Sequence, residues 1–207
     1  MKKKFLYILS SALCMSSLLL ASNSEAVADV QEVPSYVRFI CTLFGQDPGN
    51  PADFFMFLGR FHPLVLHLPL GILALVLCFE LYAFIKKSDQ LHIANYLGLG
   101  VGAISAWIAV LFGSFLAMSN DFNPELINRH GWLGFILAIC TTIAFLTKKS
   151  YIRSEQQNEK ARKASLAALL VCGILMSLVG HDGGSLSHGK NYLFDYAPNF
   201  VRNAVGL

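Results

Sequence analysis

The fold is decided by the stretch FHPLVLHLPLGILALVLCFELYAFI, which occupies residues 61–85 and is long enough to cross a bilayer as a helix. A spanning helix needs about 20 residues. Three further apolar runs of suitable length follow, at 93–118, 127–147 and 164–180. Each run is apolar on every side rather than at alternate residues, which is typical of membrane helices and not of barrel strands. The sequence therefore predicts an all-α integral membrane protein built as a four-helix bundle.

Composition argues against the soluble and disordered classes. Only 14% of the 207 residues are charged, against about 25% in soluble domains, and the mean hydropathy is +0.53. Disorder requires low hydrophobicity and high net charge, which this chain lacks. A net charge of +3 without a basic stripe gives no indication of nucleic-acid binding.

The N-terminus has the organisation of a secretory signal peptide. Three lysines at 2–4 precede an apolar run at 5–21, and the small-residue sequence AVA follows at 26–28. This order predicts a cleaved signal peptide at 1–28, with an uncleaved signal anchor as the alternative. The mature chain would then comprise an exported segment with short interfacial helices at 29–60, a transmembrane domain at 61–180 and an exported tail at 181–207.

The basic residues predict the orientation of the bundle. The segments 86–92 and 148–163 hold eight Lys and Arg in 23 residues, whereas 29–60, 119–129 and 181–207 hold five in 70. Because positively charged loops remain in the cytoplasm, the first two segments face inward and both mature termini face outward. We therefore expect a multi-pass protein of a bacterial inner membrane, with its termini on the periplasmic side.

Histidine is rare inside membranes, so its distribution is the main indication of function. Five of the six histidines fall on the predicted outer side, where three separate spans bring imidazoles to one level. These five are His62, His67, His130, His181 and His188. The sixth, His92, lies in the predicted inner loop and is expected to be solvated.

Neutral imidazole is a good ligand for haem iron, copper and zinc. His67 lies about one and a half turns deeper than His62, which makes it the better ligand. The predicted ligands of a b-type haem or a metal ion are therefore His67, His130 and His181. For His62 and His188, the preferred interpretation is hydrogen bonding to headgroups or carbonyls, with a cofactor role as the alternative.

Other charged residues near the spans are weaker candidates. Arg60 and Arg129 each stand close to a histidine and could hold a haem propionate or a lipid phosphate. Glu80 lies inside the first span near its inner end. It is expected to pair with an inner-loop base such as Lys86 or Lys87, with a role in proton relay as the alternative.

Three motifs in the chain are familiar: GRFHPLVLHLPLG at 59–71, RHGWLG at 129–134 and GHDGGSLSHGKNYL at 180–193. Together they resemble an uncharacterised bacterial family of four-helix membrane domains that is often fused to planctomycete-type cytochrome c domains. The resemblance implies a membrane electron-transfer setting, and it places the family's recurring histidines on the same five outer-side positions. No C-x-x-C-H motif for covalent haem occurs here, so a cytochrome c partner is expected to be a separate protein.

These observations favour a membrane-anchored, electron-transfer-associated protein that binds a b-type haem near the outer face. Its electrons would pass to or from an exported c-type cytochrome or a quinone. One alternative is a cofactor-free anchor or assembly subunit for such a partner, and another is a membrane protein that handles copper. No nucleophile–base pair or carboxylate pair indicates a stand-alone enzyme.

Overall fold

The computed structural model describes residues 33–48, 50–86, 90–119, 121–189, 192 and 196–204. The predicted signal peptide at 1–28 lies outside this part of the chain. The described residues form helices and no named strand, which confirms the all-α prediction. The helices are α1 (Ser35–Phe44), α2 (Asp53–Gly59), α3 (His62–Lys86), α4 (His92–Ala117), α5 (Pro124–Arg153), α6 (Glu159–His188) and α7 (Asn199–Ala204).

Helices α3 to α6 are long and apolar enough to cross a membrane, as the four apolar runs predict. Each packs against its neighbour in sequence, and α6 also packs against α3, so the four close into a bundle that runs up and down. Leu73, Leu99, Leu137 and Leu169, one from each helix, are buried together at its centre. The prediction of a four-helix bundle is therefore confirmed.

Helices α5 and α6 extend beyond their apolar runs, and a polar cap defines where each begins. Asn123 accepts the backbone N–H of Leu126 and starts α5, with Pro124 in the first turn, where its missing N–H costs nothing. Asn158 accepts the N–H of Ala161 and starts α6 in the same way. The loop between these helices therefore shrinks to residues 154–158.

The short helix α1 covers one end of the bundle. Its face of Tyr36, Val37, Ile40 and Cys41 is buried against α4 and α5, and Gly45 ends the helix in the left-handed conformation at φ 63°. A Cβ at Gly131 would collide with the ring of Tyr36, so this glycine permits the close approach of α1. The amphipathic segment thus packs on protein through its apolar face.

The two ends of the bundle differ in chemistry. At the histidine end, α3 and α5 begin while α4 and α6 finish, and His62 and His130 lie there. At the lysine end, α3 and α5 finish while α4 and α6 begin, and Lys148 is fully buried there at 0% exposure. We call these two ends the histidine end and the lysine end.

The lysine end differs from expectation in two respects. The prediction that His92 is a solvated loop residue is wrong, because it is the first residue of α4 and is buried at 2% exposure. Glu80 does pair with a base from the predicted inner segments, but that base is Lys148 of α5, at 2.7 Å, rather than Lys86. Lys87, the other expected partner, lies outside the described residues. Burial of both charges makes the pairing necessary, since an unpaired charge there would be costly.

Candidate cofactor site at the histidine end

A cavity of about 360 Å³ lies between α3, α4, α5 and α6 at the histidine end, and Tyr36 of α1 contributes to its wall. Its lining is largely apolar and includes Leu66, Pro69 and Leu137. Two imidazoles, those of His62 and His130, also line it. Its volume falls in the usual range of small-molecule sites, which is about 300–1,000 Å³.

His62 is fixed in one orientation by the neighbouring helix. Its Nδ1 lies 2.9 Å from the carbonyl oxygen of Ala109 in α4. A carbonyl can only accept a hydrogen bond, so Nδ1 carries the proton and donates it. In the neutral ring, Nε2 then bears a lone pair that is available to a metal or to a hydrogen-bond donor.

His130 has the same arrangement on the opposite side of the cavity. Its Nδ1 lies 3.2 Å from the carbonyl oxygen of Val179 in α6, so this ring also presents an unprotonated Nε2. The ring centroids of His62 and His130 are 6.4 Å apart, and the ring planes are inclined at 86°. Both side chains are half-buried. A backbone carbonyl bonded to Nδ1 is the usual support for a histidine that ligates a metal.

Glycines create the space that the two imidazoles occupy. A Cβ at Gly113 would lie 2.8 Å from His62 Cε1, and one at Gly183 would lie 3.2 Å from His130 Cε1. By contrast, a Cβ at Gly134 would meet no atom within 4 Å, although Gly134 lines the cavity. The first two glycines therefore accommodate the rings, whereas Gly134 borders empty space.

An ion pair that the sequence did not indicate lies beside the cavity. Arg129 donates from Nε to Oδ2 of Asp182 at 2.8 Å and from a terminal nitrogen to the other oxygen. Asp182 is buried at 2% exposure, whereas the Arg129 side chain is 53% exposed. Each immediately precedes a cavity residue in sequence. The sequence does place Arg129 and Asp182, which have opposite charges, at the same predicted level of two spans, and this is the signal from which the pair could have been predicted.

The remaining predicted site residues lie elsewhere. His67 is exposed, and its Nδ1 lies 2.6 Å from the carbonyl oxygen of Pro63 in its own helix. His181 is half-buried and is not among the cavity residues. His188 is exposed and stacks on Tyr192 with the ring centroids 4.5 Å apart. Arg60 is exposed at the end of α2. The structure therefore brings His62 and His130 together at the cavity, whereas His67 and His181 are not among the residues that line it.

The arrangement can supply two nitrogen ligands or two hydrogen-bond acceptors within an apolar cavity. A metal bonded to two Nε2 atoms at about 2 Å each would hold the ring centres about 6 Å apart, which is close to the observed 6.4 Å. Within the described residues, no group of three or more His, Cys, Asp and Glu side chains could hold a metal ion. The imidazoles of His62 and His130 are thus two nitrogen donors that could hold a metal-containing cofactor in the cavity.

Fold and cavity together define a multi-pass membrane protein with paired histidines at one end of a four-helix bundle. The chain belongs to the family described as predicted membrane protein (DUF2231), whose family model matches residues 60–191. This match confirms the resemblance to an uncharacterised family of membrane domains. Searches of curated proteins and of solved structures returned no match to this chain.

Proposed function

We propose that the protein is a membrane electron carrier that binds a b-type haem between His62 and His130. The observation that carries this proposal is the pair of imidazoles on opposite sides of the cavity, each held by a carbonyl through Nδ1. The proposal keeps the haem expected from the sequence but names His62, rather than His67, as the partner of His130.

In this proposal the protein's own residues do three things. His62 and His130 would hold the haem through Nε2, and the carbonyls of Ala109 and Val179, which accept the Nδ1 proton, leave Nε2 unprotonated in the neutral ring. The apolar wall limits the access of water. When bound, the haem would supply a one-electron couple whose potential depends on this ligation and burial.

Arg129 supports the proposal as a group near the rim. Its guanidinium carries five N–H donors, of which the Asp182 carboxylate takes two. The remaining donors could hold a propionate. The excess of Lys and Arg at the lysine end, in residues 86–92 and 148–163, supports an outward-facing histidine end, where an exported c-type cytochrome or a quinone would exchange electrons.

The test is an optical spectrum of the full chain, purified in detergent from cells supplied with a haem precursor. We expect a reduced-minus-oxidised difference spectrum with a Soret and an α-band and about one haem per chain. His62→Ala and His130→Ala should each abolish it. His67→Ala and His188→Ala are the matched controls, since both histidines are exposed, and should retain it.

A second variant tests the cavity without touching the ligands. Gly134→Leu would place its side chain in the open space that borders Gly134, so it should exclude the haem. Gly71→Leu is the matched control on α3, where a Cβ also meets no atom within 4 Å but the residue is outside the cavity. A protein without stoichiometric haem, or a band retained in both His62→Ala and His130→Ala, would overturn the proposal.

A further inference from the structure

The lysine end contains a buried polar cluster that the proposed haem site does not use. Four side chains from three helices form it: Glu80 of α3, His92 and Asn95 of α4, and Lys148 of α5. All four have an exposure of 2% or less. Ionisable groups inside membrane helices are costly and usually functional.

The hydrogen bonds of the cluster determine where its protons lie. Lys148 Nζ donates to both carboxylate oxygens of Glu80 at 2.7 Å and lies 2.9 Å from His92 Nδ1. An ammonium group has three donors and no acceptor, so His92 Nδ1 must accept. His92 is therefore neutral, and the Glu80–Lys148 pair carries one charge of each sign.

One buried acceptor of the cluster has no donor. Asn95 donates from Nδ2 to Glu80 Oε2 at 2.7 Å, but its own Oδ1 has no hydrogen-bond partner although it is buried. His92 Nδ1 holds a lone pair that a proton could take, and it lies only 4.0 Å from Glu80 Oε1. A small movement of the ring would convert that approach into a hydrogen bond.

We propose that this cluster is a proton-binding site that opens to the lysine end of the bundle. The incoming proton bonds to His92 Nδ1, and the imidazolium then donates to Glu80 Oε1. Lys148 can no longer donate to His92, so its third N–H must find another acceptor. The net charge of the cluster rises from zero to one positive charge, and no bond between heavy atoms changes.

The surroundings both favour and oppose the added charge. Tyr151 of α5 packs its ring edge-on against His92 at 5.0 Å, and the Lys148 ammonium lies 5.3 Å from its centroid. Helix α6 adds Arg162 and Glu159, whose charges act on the cluster with opposite signs. These two are hydrogen-bonded to each other at 2.8 Å and largely cancel at a distance. Within the cluster, the Glu80 carboxylate favours the added charge, whereas burial and the Lys148 ammonium, 2.9 Å from His92 Nδ1, oppose it.

The position of His92 gives the proton a short route. His92 is the first residue of α4, and Glu80 precedes the end of α3 by six residues, or about 9 Å. The cluster is therefore close to the surface at which the α3–α4 and α5–α6 loops lie. If the predicted orientation holds, the proton would come from the cytoplasmic side.

The test is nuclear magnetic resonance of the full chain in detergent, with isotope-labelled histidine, between pH 8.5 and 5.5. We expect the His92 signals to change from the neutral tautomer protonated on Nε2 to the imidazolium form. His92→Gln, which keeps an acceptor for Lys148, assigns the signals. His188→Gln is the matched control from an exposed histidine.

Infrared difference spectroscopy over the same range adds a readout that a static ion pair would not give. The carboxylate band of Glu80, assigned with Glu80→Gln, should shift in the same transition as His92. The shift should be lost in His92→Gln and kept in His188→Gln. A His92 that stays neutral while His188 titrates would overturn the proposal. If His92→Gln fails to fold, sequential backbone assignment of the wild type identifies the His92 signals instead, and neither result depends on haem.

Discussion

The Glu80–Lys148 pair provides the sharpest test of the packing at the lysine end. Glu80→Gln removes the counter-ion of a lysine that has 0% exposure. Breaking a buried ion pair by removing one partner costs about 3–5 kcal/mol, because the other charge is left unpaired. Lys148→Met should cost a similar amount, since it leaves a buried carboxylate without the ammonium that pairs with it.

The double variant Glu80→Gln/Lys148→Met removes both charges and keeps similar volumes. The amide oxygen of the introduced glutamine can still accept from Asn95, which donates to Glu80 at 2.7 Å in the wild type. Replacing a buried ion pair by neutral groups is often nearly neutral, so we expect the double variant to be more stable than either single variant. Because each single variant should cost about 3–5 kcal/mol and the double variant less than either, the coupling energy of the cycle should exceed about 3 kcal/mol.

The assay is reversible unfolding of the full chain in mixed micelles, with the three variants and the wild type compared in one detergent series. The control is Glu159→Gln/Arg162→Met, which breaks a pair on α6 whose carboxylate is 56% exposed and which should change stability little. If Glu80→Gln loses no more stability than this control, the buried Lys148 is not charged in the fold. Single-variant losses that simply add in the double variant would also refute the reasoning.

Two further substitutions test the histidine end. Gly113→Ala should lower the free energy of unfolding by about 1 kcal/mol, because its Cβ would lie 2.8 Å from His62 Cε1 and disturb the hydrogen bond from His62 to Ala109. The control is Gly71→Ala, whose Cβ would meet no atom within 4 Å and which should not lower the free energy of unfolding. Burial raises the pKa of Tyr36 above its ordinary 10.0 and outweighs its hydrogen bond to Ser114, so folding favours the neutral phenol. Stability from this group is therefore complete below pH 10 and is lost as pH rises through the folded-state pKa. The midpoint temperature of thermal unfolding should decline more steeply above pH 10 in the wild type than in Tyr36→Phe.

The four spans could be predicted because a bilayer imposes a length and an apolar composition on any helix that crosses it. The bounds of α3 and α4 agree with their apolar runs to within one residue, whereas those of α5 and α6 could not be predicted, since charged residues continue a helix as readily as they form a loop. Lys148 shows the consequence. It counts as a basic loop residue in the sequence, yet it lies inside α5 and is buried against a carboxylate 68 positions away. Only the rotation and register of the packed helices create that contact.

The level of the histidines was predictable in the same way, but the pair that converges was not. His62 and His67 are five residues apart, so they point about 140° apart on a regular helix and only one can face the interior. Depth in the membrane favoured His67. The structure instead turns His62 inward, because Gly113 leaves space for its ring and the Ala109 carbonyl accepts its Nδ1 proton. Both features belong to α4, and local sequence around His62 contains neither.

Helix α3 carries a member of each polar group, and its geometry keeps the two apart. His62 and Glu80 are 18 residues apart in sequence, which is about 27 Å along the helix. The buried residues of α3 between them, such as Leu73 and Val76, are apolar and pack against other helices. The buried side chains of α3 therefore provide no path for protons between the two groups. A link through this helix would require movement of α3 itself, and Pro69, which removes one backbone donor next to the cavity, is where that helix is weakest.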